Sequence, residues 1–349
     1  MTITLKIAKK EDKELWDNLV EKSPHGTIFH TWKFLKIIEK HTPSKLYPLI
    51  GMKGTTPVGI YPLFFQKRFF LKMVFSPPPY VAVPYMGPAF VDYDKLKQSK
   101  KESIFINFQK AVDEFISSEL KADYAFIAMS PGLDDSRPLK WAGYVVEPKY
   151  NYSIDLRKGE DFLWKQLKGK LRQDINRERR KGVTVEHASK KELMGIYDSL
   201  VGRYKEQGRV VNVPKDYLLE VYDSFYPQNM KIFITKYKDE FISGLVDIYY
   251  KNKASSWIGH AKPRIGGIKP NDLVQWEAIK FACESGFGKY EEIGAGTERL
   301  CRYKSKFNPE LSICYSATKY NLLGYLAENS YAGILKPLYG KIFSTNPNQ

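Results

Sequence analysis

The sequence predicts an α/β protein with mixed sheets, built from two similar domains. Strand-like stretches of alternating apolar residues are interspersed with amphipathic helical stretches along the chain. The order helix, helix, hairpin, strand, helix, strand occurs once in each half. A glycine lies in the second strand of both hairpins, at Gly59 and Gly244. A length of 349 residues with 43% hydrophobic residues suits two domains with substantial cores.

The first half supplies one copy of this unit. We expect helices over residues 12–22, 29–41 and 95–120, a hairpin over 46–52 and 58–65, and a strand over 124–129. Residues 77–88 are rich in proline and aromatic residues. They predict an irregular, apolar floor that suits a binding cleft and includes Tyr80 and Tyr85, although prolines also simply end strands.

The second half begins with a strand over 144–156 and one long basic helix from about 160 to 181. Leu163, Leu167, Leu171 and Ile175 recur every fourth residue and predict its buried side. The remaining elements are expected to be a strand over 183–186, helices over 190–206 and 216–226, a hairpin over 231–236 and 242–250, and a strand over 254–259. The predicted domains are residues 1–160 and 161–328, followed by a tail, 329–349, that docks on the first domain.

Residues 276–307 are the most informative stretch. A helix with its N-cap at Asn271 or Asp272 ends near Gly286, and a short strand over 290–293 follows. Gly294 and Gly296 then give the backbone conformational freedom before the basic and aromatic residues 302–307. A strand that ends in a flexible glycine loop is where α/β proteins usually place chemistry.

Composition limits the function classes. Lys and Arg exceed Asp and Glu by 16 residues, which predicts attraction to nucleic acid, anionic lipid or phosphorylated substrates. The three cysteines form no CxxC pattern and the five histidines are scattered, so a metal site, a disulfide framework and histidine-centred catalysis are not expected. The sequence has no secretory-signal pattern and no apolar run long enough for a membrane helix, so we expect a cytoplasmic protein. The basic, amphipathic tail could contact a membrane surface peripherally.

Several short motifs occur in an order typical of one family. They are Phe29–Trp32 with Lys36, the basic helix ending at Val183, Pro270–Leu273, Glu291–Ala295 and Tyr303–Asn308. With them the chain resembles the Fem family of peptidoglycan bridge-forming aminoacyltransferases, and related N-acyltransferases with two acetyltransferase-like (GNAT-type) domains. It resembles the compact type, because no heptad run for a coiled-coil arm is present. Glu292, Ala295 and Asn308 depart from the family's usual Asp, Gly and Gly.

The resemblance implies two tandem GNAT-like domains with a cleft between them, and transfer of an activated acyl or aminoacyl group onto a primary amine. The acceptor would be nucleotide- or lipid-linked. The donor would be a co-substrate, aminoacyl-tRNA or acyl-coenzyme A, with no tightly bound cofactor. Lys304 is cast as the cation that stabilises the oxyanion, with Tyr303 packed against it. Glu292 or the substrate itself would remove the amine's proton, and we favour the substrate.

Binding residues are expected from the resemblance, for Lys36, and otherwise from side-chain chemistry and local composition. Lys36 and Arg172 would meet phosphates of an anionic acceptor, and Trp32, Tyr80 and Tyr85 would floor its cleft, while the basic helix could contact tRNA. Gly266, Gly267 and Asn271 would form a phosphate cradle for coenzyme A. Each residue also has a structural interpretation, as a solvated cation or a core aromatic. Two further functions stay open: a coenzyme-A-dependent N-acetyltransferase acting on an amino sugar or polysaccharide precursor, and a non-catalytic nucleic-acid-binding protein.

Overall fold

The structure is a computed structural model, which describes residues 2–206, 213–259 and 267–330. The strands are β1 (Thr4–Ile7), β2 (Lys45–Lys53), β3 (Thr56–Arg68), β4 (Leu71–Ser76), β5 (Ala89–Phe90), β6 (Tyr124–Ala128), β7 (Val145–Asp155), β8 (Thr184–His187), β9 (Met230–Tyr237), β10 (Glu240–Tyr250), β11 (Lys253–Gly259), β12 (Lys289–Glu292) and β13 (Glu310–Tyr320). The helices are α1 (Lys13–Lys22), α2 (Trp32–His41), α3 (Gln98–Glu114), α4 (Arg137–Trp141), α5 (Glu160–Gln166), α6 (Gly169–Arg180), α7 (Lys190–Glu206), α8 (Lys215–Phe225), α9 (Pro270–Glu284), α10 (Glu298–Lys304) and α11 (Leu322–Ser330).

The chain divides into two compact units. The first contains residues 2–149 together with 313–330, and the second lies within residues 150–312. These boundaries differ from the predicted ones because β13 returns to pair with β6 of the first unit. The predicted C-terminal tail lies, from residue 331 onward, outside the described residues. The predicted cleft between the domains stays a prediction.

In the first unit the strand order is β1-β2-β3-β4-β6-β13, with β5 paired to β3. All these pairs are antiparallel except β4 with β6. Helix α3 packs its phenylalanines on the sheet, and the ring of Phe108 lies directly over Gly59. A Cβ at Gly59 would lie 3.2 Å from that ring and 2.9 Å from the Ala89 carbonyl oxygen, which explains the hairpin glycine.

The second unit repeats this arrangement, with strand order β7-β12-β11-β10-β9-β8 and one parallel pair, β11 with β12. Helix α9 covers the sheet with Trp276 and Ile279, against Tyr290 and Leu245. Gly244 lies in the second strand of the second hairpin, and a Cβ there would lie 2.7 Å from the Ile196 side chain of α7. The predicted α/β fold with two like domains is therefore confirmed.

Two predicted helices have different bounds. The long basic helix is two helices, α5 and α6, because the chain is extended at Leu167 and Lys168 and the Lys168 amide donates to the Lys306 carbonyl at 2.9 Å. The predicted buried leucines and Ile175 are nevertheless all buried. Helix α9 starts at Pro270 with Lys269 as N-cap, not at Asn271 or Asp272, since proline fits the first turn.

Candidate active site

The parallel pair of strands in the second unit ends at Glu292. Ser256 of β11 is in register with Glu292 of β12. Beyond this point β12 stops, whereas β11 continues to Gly259, which pairs with Leu245 of β10. The chain after β12 turns through Gly294, whose φ of 85° favours glycine. The two parallel strands therefore separate immediately after the Glu292 carboxylate.

The Glu292 carboxylate is buried and unpartnered. The residue is 1% exposed, and neither carboxylate oxygen has a hydrogen-bond partner within the described residues. Burial raises the pKa of Glu292 from 4.5 to about 7, and the ammonium groups of Lys304 and Lys306 oppose part of this rise. Its protonated and ionised forms are therefore both accessible near neutral pH, as a proton-transfer group requires.

Lys304 lies at the end of α10, next to this carboxylate. Its Nζ donates to the carbonyl oxygens of Ile293 at 2.5 Å and Gly294 at 3.0 Å, so it ties the helix to the loop after β12. Burial lowers the pKa of Lys304, while the charge of Glu292 acts in the opposite direction. The structure thus brings Lys304 and Glu292 together, and two of the three ammonium N–H groups are fixed by the backbone.

The contact of Tyr303 with Lys304 stays a prediction, and the structure shows another cation on the Tyr303 ring. The ammonium over its ring is that of Lys306, 4.6 Å from the ring centre. In a helical segment the residue three positions on shares a face, whereas the next residue does not. The Tyr303 hydroxyl donates to the Asn271 carbonyl at 3.0 Å, and Lys306 donates to Asp272 at 2.7 Å. Tyr303 and Lys306 therefore anchor α10 to the start of α9.

A second buried acid, Asp247, was missed by the sequence analysis. It lies in register with Ser256, on the same sheet face as Glu292. The Tyr290 hydroxyl donates to its oxygens at 2.9 and 3.1 Å, and Gln275 donates to the Tyr290 hydroxyl at 2.9 Å. Burial raises the pKa of Asp247 well above its usual range, and the charge of Glu292 adds to this. The sequence signal that could have identified Asp247 is a single acidic residue within the apolar stretch of β10.

Four of the predicted acceptor residues, Lys36, Trp32, Tyr80 and Tyr85, lie in the first unit. Lys36 and Trp32 line a surface pocket of about 360 Å³ with Lys9 and Lys10. Lys36 is exposed and ion-paired with Glu39.

The two predicted floor aromatics differ in exposure. Tyr80 is 54% exposed, whereas Tyr85 is 1% exposed and packs edge-on against Phe29 at 5.8 Å. The structure therefore places Tyr85 in the core, where aromatic side chains bury most area, rather than on an exposed floor.

The basic helix is partly neutralised by its own neighbours. On α6, Arg177 pairs with Asp174 and Glu178, and Arg179 pairs with Glu277 of α9 at 2.5 Å. Arg172 is half-buried on the same helix. This pairing reduces the cationic surface that α6 offers to a polyanion such as tRNA.

The predicted phosphate cradle is only partly described. Gly266 lies outside the described residues. Gly267 is exposed with φ 75°, and its carbonyl accepts from Lys181 at 3.3 Å. The Asn271 side-chain oxygen accepts from Ser243 at 2.6 Å. Of the cradle residues described, Asn271 is thus already engaged within the fold.

Two other features bear on the site. A pocket of about 470 Å³ lies between α9, α6 and β8, and Glu292 is not among its lining residues. Within residues 2–206, 213–259 and 267–330, no three His, Cys, Asp or Glu side chains are grouped to hold a metal ion. In the same ranges, no helix is both long and apolar enough to cross a membrane.

The chain is similar to one family model and to several solved structures. Residues 169–305, which include Glu292 and Lys304, match the family model of the acetyltransferase (GNAT) domain. The chain is an acyltransferase. The acyltransferase shares its fold with the crystal structure of FemX, at 14% sequence identity and a TM-score of 0.66 over 89% of this chain and 96% of that chain.

Two further solved structures have this fold. One is a tandem GNAT protein from the clavulanic acid biosynthesis pathway, 8% identical, with a TM-score of 0.55 over 91% of this chain and 98% of that chain. The other is L-PGS from Bacillus licheniformis, 15% identical, with a TM-score of 0.53 over 90% and 93%. No curated protein sequence matches the acyltransferase. The predicted Fem-type, GNAT-like fold is confirmed, and the non-catalytic alternative is set aside.

Proposed function

We propose that the acyltransferase transfers an activated acyl or aminoacyl group onto a primary amine of a nucleotide- or lipid-linked acceptor, with Glu292 as general base. One observation carries this proposal: a buried carboxylate without a hydrogen-bond partner, with a pKa of about 7, lies where two parallel strands separate. An unpartnered buried acid destabilises the fold, so its presence at such a point supports a catalytic role.

The first step is loss of a proton from the acceptor's ammonium group. A base whose pKa lies near the working pH combines a useful ionised fraction with sufficient basicity. Glu292 meets this requirement, and its two unpartnered oxygens can accept a hydrogen bond from an N–H donor. The sequence alone favours the substrate as its own base. The burial of Glu292 supports the carboxylate instead.

The second step is attack of the amine nitrogen on the acyl carbonyl carbon, which places negative charge on the carbonyl oxygen. Lys304 has two N–H groups held by the carbonyls of Ile293 and Gly294, so its third is available for that oxyanion. A cation fixed in a partly buried position stabilises such charge without reorganising during the reaction. The tetrahedral intermediate then expels the thiolate of an acyl thioester or the alkoxide of an aminoacyl ester, and this leaving group takes up the proton that the attacking nitrogen loses as the amide forms.

The donor has two candidates. The GNAT domain match supports acyl-coenzyme A, because GNAT domains use it as a co-substrate. The Fem resemblance supports aminoacyl-tRNA, although internal pairing on α6 leaves fewer cations for a nucleic-acid backbone. The basic pocket of the first unit with Lys36 and Trp32 suits a phosphate group, and Arg172 of the second unit offers a bidentate contact to an anion.

Donor binding is tested first. A ligand that binds only the native state raises the melting temperature, so thermal shifts with acetyl-coenzyme A, and filter binding of aminoacyl-tRNA with duplex DNA as control, identify the donor. Donor consumption is then measured with amino sugars and with nucleotide- and lipid-linked amines. Wild type and Glu292→Gln should bind the donor equally, but only wild type should transfer. Equal transfer by both would refute the assignment of the base.

A further inference from the structure

Two adjacent phenylalanines form the tip of the β3–β4 hairpin. Phe69 is 84% exposed and Phe70 is 71% exposed, in the turn between Arg68 and Leu71. Phe69 has a φ of 56°, which is unfavourable for a large side chain. Two neighbouring aromatic rings exposed to water lower the solubility of a protein, and such patches usually mark an interaction site.

Cations flank this tip on both strands. Lys67 and Arg68 precede it on β3, and Lys72 follows it on β4 in register with Lys67. The sequence from Phe65 to Phe75 contains no acidic residue. The hairpin therefore presents an apolar end with a collar of positive charge.

Helix α11 adds apolar surface at the same edge of the first unit. Asp123 connects the two elements, since its carboxylate accepts from the Lys72 amide at 2.9 Å and from the Asn321 side chain at 2.9 Å. Immediately after Asn321, the helix exposes Leu322 by 76% and, one turn later, Leu326 by 54%. The docking edge is defined here as Phe69, Phe70, Leu322 and Leu326 with the cations Lys67, Arg68 and Lys72.

We propose that the docking edge binds the surface of an anionic lipid bilayer. Aromatic rings enter the boundary between headgroups and acyl chains, while cations at their base remain at the level of lipid phosphates. A second copy of this chain would fit less well, because pairing the two edges would oppose their like charges. The chain's excess of 16 positive residues adds long-range attraction. This proposal does not depend on the proposed reaction.

Vesicle sedimentation tests the docking edge. The full chain is mixed with vesicles of phosphatidylcholine alone, or of phosphatidylcholine with phosphatidylglycerol, and the bound fraction is measured. Wild type should bind the anionic vesicles more tightly. Phe69→Ser with Phe70→Ser should weaken binding roughly tenfold for each ring. Replacing Lys67, Arg68 and Lys72 by Gln should weaken it about fivefold per charge, on anionic vesicles only.

The matched control is Trp141→Ser, which removes an aromatic side chain that is 62% exposed on α4 of the same unit. It should bind like wild type, and circular dichroism melts confirm that every variant is folded. Three results would overturn the proposal. They are no vesicle binding by wild type, undiminished binding after loss of both phenylalanines, and equal binding to neutral and anionic vesicles. Self-association that needs the phenylalanines, without vesicle binding, would assign the edge to a second copy instead.

Discussion

The parallel strand pair ends differently in the two units. In the first unit Ser76 of β4 is in register with Ile127 of β6, and in the second Ser256 of β11 is in register with Glu292 of β12. Ile127 is fully buried among apolar side chains, whereas Glu292 is buried beside two ammonium groups. One fold thus supports packing in one copy and a candidate reaction centre in the other, which shows that function depends on the site rather than on the fold.

The loop after the strand also differs. In the first unit the proline-rich stretch closes the strand end, because the Gly87 amide donates to the Ser76 hydroxyl at 3.0 Å and the Met86 amide to the Ala128 carbonyl at 2.7 Å. In the second unit the chain leaves through Gly294, and Lys304 caps the carbonyls there. The stretch predicted as a cleft floor therefore seals the first unit, which accounts for the burial of Tyr85.

The largest expected effect is on turnover, from Glu292→Gln. Removing a general base typically costs a hundred- to ten-thousandfold in rate, and donor binding should be unchanged. The control is Glu291→Gln. Glu291 points to the opposite sheet face and is held by Asn151, Ser255 and Lys253, so its loss should affect stability more than rate. A Glu291→Gln variant with the greater loss of turnover would reverse the assignment.

A glutamate at position 127, which corresponds in register to Glu292, should unfold or strongly destabilise the first unit. Ile127→Glu places a carboxyl in an apolar cluster without a neighbouring ammonium, which should lower the free energy of unfolding by about 3–5 kcal/mol. Urea denaturation measures this loss. Ile127→Val is the control and should cost about 1 kcal/mol. If the Ile127→Glu variant were as stable as wild type, the end of β6 would tolerate a carboxyl as the end of β12 does.

Lys304→Met should reduce turnover about a hundred- to a thousandfold, with Lys304→Arg restoring part of it. Steady-state kinetics should show the loss in kcat rather than KM, because the charge acts mainly in the transition state. Arg302→Met, which removes an exposed cation paired with Glu298 on the same helix, should be neutral. Equal rates in Lys304→Met and Arg302→Met would exclude Lys304 from the mechanism.

Stability should depend on pH through Glu292. The pKa of this carboxyl is higher in the folded state than in the unfolded state. The folded protein therefore has its full stability below pH 4.5 and loses stability as the pH rises toward 7. Between pH 4.5 and 7 the free energy of unfolding of wild type should fall by up to about 3 kcal/mol relative to that of Glu292→Gln. Above pH 7 the difference between the two proteins should stay constant. Parallel unfolding curves of the two proteins across this range would contradict the buried, unpartnered position of the carboxylate.

The smallest effect concerns the pocket in the first unit. Lys36→Ala should weaken binding of an anionic acceptor by about 1 kcal/mol, since an exposed cation is well solvated before binding. Isothermal titration at low and high salt measures the change, which should shrink as salt rises. Lys33→Ala, an exposed lysine on the same helix outside the pocket lining, is the control. Equal losses in both variants would indicate general charge attraction only.

Local patterns predicted most of the fold. The hairpin glycines Gly59 and Gly244 could be recognised in the sequence, because close packing against Phe108 and Ile196 leaves no space for a side chain. Asn308 takes the left-handed conformation expected from its place in the closing motif, with φ 56°.

Tertiary contacts account for what the sequence did not predict. The break between α5 and α6 depends on the Lys306 carbonyl, far along the chain. The position of Asp247 on the same sheet face as Glu292, with Ser256 between them, depends on strand register.

The return of β13 to the first unit has a consequence for synthesis on the ribosome. Residues 150–312 are complete, and can collapse as a unit, before residues 313–320 emerge. Until then the free edge of β6 has no partner, although its pairing with β13 runs from Ala128 to Tyr124. An unpaired strand edge invites wrong pairing with other chains. The N-terminal unit is thus the last to mature, and premature termination before β13 would leave the edge of β6 unpaired and prone to aggregation.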